Sequence, residues 1–133
     1  MTDLSYGQLI QGGDTHWQQF NDDMDVEVIF DQPTDFSTVT VNSIRHTLHG
    51  LYAPKQIEVY ADIDGQYRKV GDTGFMEKSM VQGRNVFSDE IACGEIEGAT
   101  RIRIVASIVN PIPLDLMKPG QKSFIKIDEI IVL

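Results

Sequence analysis

From Val26 onward, apolar and polar residues alternate with a period of two, the mark of strands with one buried face. Val26, Val28 and Phe30 share a face of Val26-Glu27-Val28-Ile29-Phe30, and Ile57, Val59 and Ala61 share a face of Lys55–Ala61. Arg101–Ala106 alternates almost cleanly, with both arginines outward, and Ser123–Leu133 reads as the last strand. Ser37–Ile44, Tyr67–Val70 and Met80–Phe87 fit further strands. Asp64-Gly65 lies between two such runs and is a strong hairpin signal. Pro33, Pro54, Asn110-Pro111, Pro113 and Pro119-Gly120 punctuate the rest. No helical stripe is sustained; a turn or two near Leu4–Ile10 is the most the pattern allows. The pattern predicts an all-β, antiparallel sandwich of seven or eight short strands.

In the last strand, Ile125, Ile127, Ile131 and Leu133 alternate onto one face, and Glu129 falls in phase with them. A carboxylate facing an apolar layer is costly unless paired, protonated or metal-bound, so the pattern asks for a partner for Glu129.

The length of 133 residues fits one domain, residues 1–133, with a core that needs no disulfide or metal to fold. A net charge of -9, with 11 scattered basic residues, argues against nucleic acid and anionic membranes, which select clustered Lys and Arg. Cys93 is the single cysteine, which excludes an internal disulfide, and reads as a small core residue. The opening residues lack the basic and apolar regions of a signal peptide, as expected of a domain excised from a larger protein. A monomer is expected.

Catalytic signatures are missing: there is no G-x-S-x-G elbow, no H-E-x-x-H motif and no Gly-rich loop before a helix. Asp22-Asp23-Met24-Asp25 lacks the glycine and distal glutamate of an EF-hand loop and reads as a solvated loop. Arg45, His46, His49 and Tyr52 crowd the segment 43–53, where hydrogen-bonding groups and a ring suit sugar hydroxyls and the apolar face of a pyranose. A polar surface loop with no ligand is the plainer reading of the same residues. Trp17, beside Phe20, reads as core packing, and Phe124 at the start of the last strand is a candidate ligand contact.

Taken in order, several stations resemble the discoidin-like domain, also called the coagulation-factor 5/8 type C domain, in the form appended to family 20 glycoside hydrolases of the β-hexosaminidase or chitobiase type. They are Leu4-Ser5-Tyr6-Gly7, Trp17-Gln18-Gln19-Phe20, Pro54–Tyr60 followed by Asp64-Gly65, Arg101-Ile102-Arg103-Ile104, and Asp128-Glu129-Ile130-Ile131-Val132. The resemblance implies a galactose-binding-like jelly roll, non-catalytic and carbohydrate-binding, within a secreted, periplasmic or cell-surface enzyme. It also implies a structural calcium held by Asp14, Thr15 and Glu129. Tyr6 stands where the family has an aspartate, Phe124 where it often has a tryptophan, and Leu114–Met117 where it often has a histidine. The sugar site it implies lies among loops 43–54, 75–85 and 110–124, with Arg45, His46 and His49 hydrogen bonding and Tyr52 or Phe124 stacking. The alternative is a module that packs on its parent catalytic domain, through the apolar stretch Pro111–Met117, and binds no sugar.

Overall fold

The computed structural model describes residues 18–133, apart from the side chains of Gln18, Asp128 and Glu129. Six strands form one antiparallel sheet in the order β1-β6-β2-β5-β3-β4. They are β1 (Gln18–Phe20), β2 (Met24–His46), β3 (Gln56–Ile63), β4 (Gln66–Asp72), β5 (Arg84–Ser107) and β6 (Ile125–Val132).

The expected seven or eight short strands are fewer here because two are very long. β2 and β5, 23 and 24 residues, pair with each other along almost their whole length. Val26–Phe30 and Ser37–Ile44 are therefore two halves of one strand. The join holds Pro33, and register shifts run from Ile29 to Thr38. A proline cannot donate to a ladder and sits in a strand only at an edge or a bulge. At this irregular stretch the ribbon changes its buried phase, from Met24, Val28 and Phe30 to Val39 and Val41.

The ribbon is folded over. Its Met24–Ile29 and Arg101–Ala106 halves lie with β3 and β4, and its 38–46 and 84–92 halves lie with β6 and β1. Both halves bury their inner faces in one cluster that includes Val28, Val39, Val41, Ile91, Ile102, Ile104 and Ile127. This is an antiparallel jelly-roll β-sandwich of the galactose-binding-like type, its two layers sharing the same two strands.

Folding the ribbon back gives the molecule two unlike ends. One carries the bend and the β3–β4 hairpin, where Asp64 (φ 54°) and Gly65 (φ 84°) supply the two positive φ angles of a tight two-residue turn. The other gathers the ends of β2 and β5 with the loops 47–55, 73–83 and 108–124.

Three expectations need correction. The strand proposed at Met80–Phe87 begins at Arg84, because Glu77–Met80 makes a 3-10 turn. Phe124 lies just before β6 and forms a lone parallel bridge to Leu51. In β6 the buried residues are Ile125 and Ile127, then Ile130 and Val132, while Leu133 is 66% exposed. Val41 pairs with Ile130 and Ser43 with Ile127, so β6 spends three residues where β2 spends two. That bulge changes the phase, and the expected alternation of Ile125, Ile127, Ile131 and Leu133 onto one buried face does not hold. Trp17, Asp14, Thr15 and the turn near Leu4–Ile10 lie outside the described residues, as does the Glu129 side chain.

Candidate functional site

The loop end is knitted together by polar contacts between the three loops. Thr47 N–H donates to the Gly83 carbonyl (3.1 Å) and Gly83 N–H donates back to Thr47 Oγ1 (3.0 Å). Met117 N–H donates to Gln82 Oε1 (2.9 Å). Beneath them, Tyr52, Val109 and Ile112 form a small second core, with Met80 and Leu116 against it. The sequence therefore places the segments 43–54, 75–85 and 110–124 together, as expected.

The predicted residues divide between interior and surface. Tyr52 is fully buried and its hydroxyl donates to the Met117 carbonyl (2.6 Å). Burial raises its phenol above the usual range. Its ring is a support for the 108–124 loop, which overturns its reading as a stacking platform. Arg45 is 7% exposed. Its side chain lies on the inner face of β2, since Val39, Val41, Ser43 and Arg45 are buried in alternation. Its Nη2 donates to Asn85 Oδ1 (2.5 Å), its Nη1 to the Lys78 carbonyl (3.3 Å), and its guanidinium stands 5.1 Å from the Phe87 ring centre. Both hydrogen-bond partners are neutral. Arg45 Nε, Ser43 Oγ and Asp89 Oδ2 are buried without a hydrogen-bond partner among the described residues, and Lys78 holds the other oxygen of Asp89.

His46, His49 and Phe124 reach the surface. The 3-10 turn Thr47–His49 brings the two imidazoles edge to face, with ring centres 4.3 Å apart. Desolvation lowers the His46 pKa, and the neighbouring His49 and Arg84 lower it further. Near neutral pH a His46 ring so shifted is uncharged, with one nitrogen donating and the other accepting. Arg84, exposed, pairs with His46 across the ribbon. Sequence reasoning missed Arg84, because only the register of β5 against β2 brings it beside the histidines. Phe124 is half-buried: a Cβ built on Gly50, the residue after His49, would lie 3.7 Å from the Phe124 ring and 3.7 Å from Lys118 Cγ. Arg84, His46 and His49 are thus neighbours, and Lys118 and Phe124 meet at the adjoining Gly50, together a strip of exposed and half-buried side chains on the loop end.

The acidic run before β2 is more structured than a solvated loop. Met24 is fully buried, Asp23 accepts from Ile108 N–H (2.9 Å), and Asp25 makes two bonds with Arg103 (2.7 and 2.5 Å). Asp22, Asp23 and Asp25 line an open polar cleft of about 500 Å3 with Lys55, Ile108 and Asn110. At the bend end, Asp35, Phe36, Glu95, Ile96, Glu97 and Leu133 border a cleft of about 360 Å3. Among the described residues no group of three or more His, Cys, Asp or Glu is placed to hold a metal ion. Cys93 is buried, as read from the sequence, and burial pushes its thiol up to about 11.

No protein-family model matches the sequence, and neither does any curated protein. Solved structures do match in fold. A pectin-binding carbohydrate-binding module is similar at 10% identity and a TM-score of 0.51, covering 95% of this chain and 78% of that one. A GH29 fucosidase from Ruminococcus gnavus, in complex with fucose, is similar at 14% identity and a TM-score of 0.52 over 95% of this chain. This chain spans only 21% of the fucosidase's length. At such identities the likeness is one of fold: the β-sandwich of this chain is also that of a carbohydrate-binding module and of part of a far longer enzyme chain.

Proposed function

We propose that this chain is a non-catalytic carbohydrate-binding module of a larger glycoside hydrolase, with its sugar site on the loop end. The observation that carries this reading is the strip of Arg84, His46, His49, Lys118 and Phe124, held in place by three interlocked loops on the fold of carbohydrate-binding modules. The uncharged His46 imidazole and a guanidinium offer the donors and acceptors that sugar hydroxyls need. The Phe124 ring offers an apolar face to the C–H groups of a pyranose. The strip is open, so few groups of a monosaccharide are desolvated and the expected affinity is weak, on the order of millimolar.

The sequence resemblance supports a β-hexosaminidase or chitobiase type of parent, acting outside the cytoplasm, and a calcium at Asp14, Thr15 and Glu129. Amide NMR titration with galactose, N-acetylglucosamine and N-acetylgalactosamine tests the sugar reading. Saturable shifts at residues 46–50, 84 and 118–124, lost in His49→Ala, are expected. A spectrum unmoved by every sugar would sink it.

A second reading has its own support. Leu114 is 88% exposed and Met117 42% exposed in one loop, beside the exposed Pro111. Apolar side chains so presented suit a contact with a parent catalytic domain. That reading predicts no sugar response and a stable complex with the parent domain, weakened by Leu114→Asp.

A further inference from the structure

The strip is cationic on a chain whose net charge is -9. Arg84 and Lys118 form no ion pair with any described residue, and the two histidines add charge on protonation. Arg45 lies in the layer behind with neutral hydrogen-bond partners and a free Nε, while Asp89 of that layer is taken by Lys78. Asp115 is the acidic residue of the 108–124 loop and sits toward Tyr52.

Elsewhere Asp22, Asp25, Glu27, Glu58, Asp62, Asp72 and Asp89 share five cations, Lys69, Lys78, Arg101, Arg103 and Lys122. Among the described residues, the acidic ones left without an ion pair include Asp31, Asp35, Glu95 and Glu97 at the bend, at the far end, and Glu77 in the 73–83 loop. Salt screens exposed charges beyond roughly 8 Å at physiological ionic strength. A ligand on the strip therefore meets the local cations and not the negative sum of the molecule.

We propose that the sugar taken by the loop end is an anionic one, carrying a carboxylate or sulfate that Arg84 and Lys118 bind while Phe124 receives the ring. The inference rests on the carbohydrate-binding reading and adds the class of sugar. A guanidinium presents a planar fork of donors that matches a carboxylate, and a lysine adds a mobile point charge. An anion set between Arg84 and His46 also favours protonated histidine, so acidic sugars should bind better as pH falls through the histidine range.

The test is amide NMR titration of the chain with galactose, galacturonate and galactose 6-sulfate, each in 50 mM and 500 mM NaCl. We expect at least one acidic sugar to bind about tenfold tighter than galactose in low salt, the size of one charge-assisted contact. High salt should shrink that advantage, and Arg84→Gln, Lys118→Gln and the double variant should each weaken the acidic sugar by a larger factor than they weaken galactose. Galacturonate against galactose 6-sulfate distinguishes carboxylate from sulfate. Galactose binding as tightly as both acidic sugars, or an advantage that survives the double variant, would overturn the inference and leave the carbohydrate-binding reading intact. If no sugar binds, both fall. A response to phosphatidylserine vesicles alone would replace them with a lipid surface.

Discussion

Gly71 shows how closely the layers meet at single residues. A Cβ placed there would come 2.7 Å from the Ala92 carbonyl oxygen and 3.0 Å from Ile91 Cγ2. The first of these neighbours is backbone and cannot turn aside. Gly71→Ala is expected to cost roughly 1–3 kcal/mol by overpacking, readable as a lower urea midpoint. Cys93 lies at the same contact, 3.2 Å from that position, and its protonated thiol should not react with a thiol reagent at pH 8 until denaturant opens the sandwich. Rapid labelling of the native protein would contradict this account of its burial. Tyr52→Phe keeps the ring and deletes the bond to Met117. About 1 kcal/mol of stability should go, with amide exchange quickening in the 108–124 loop.

Among the elements, the outer face of β2, β5, β3 and β4 is a lattice of paired charges over two tyrosines. Arg101 pairs with Glu27 and Asp62 above Tyr67, and Arg103 pairs with Asp25 above Tyr60. Burial and Glu27, whose carboxylate accepts its hydroxyl, hold the Tyr67 phenol well above its usual range. The Arg103 hydrogen bond lowers the Asp25 pKa, against a smaller opposing effect of burial. A carboxyl lowered on folding stabilises above its unfolded pKa, near 3.9, and loses that contribution as pH falls through its folded value. Asp25→Asn should therefore lower Tm at pH 7, by a small amount because the pair is half exposed, and the gap to the parent protein should close as the medium is acidified. What the sequence disclosed about these elements was local. Period-two runs and the Asp64-Gly65 turn were legible because each depends on residues a few positions apart. The union of Val26–Phe30 with Ser37–Ile44 was not, since Asp31-Gln32-Pro33-Thr34 reads as a loop until the partner strand shows it as a bulge. The phase change in β6 was hidden for a like reason: Ile130-Ile131-Val132-Leu133 is apolar in both registers. In the candidate site, His46, His49 and Phe124 were recognisable by type. The burial of Arg45 and Tyr52, and the arrival of Arg84, depend on contacts 33 or more positions away and leave no trace in a short window.

At the scale of the whole molecule, two sets of loops are held apart by one core. If Asp14, Thr15 and Glu129 bind the proposed calcium, millimolar calcium raises Tm, and Glu129→Gln abolishes the rise without changing sugar affinity. An unchanged melting curve would remove the metal. The folded ribbon also has a kinetic side. Neither layer can be completed alone, because β2 and β5 supply strands to both, and Met24 must find Ala106 while His46 finds Arg84. Pairings so distant along the chain close large loops before any contact rewards them, which places refolding in the millisecond-to-second range. The same linkage acts in reverse when the chain is pulled or attacked by a protease. No layer can peel away and leave its neighbour standing, so the fold resists in one step and yields in one step.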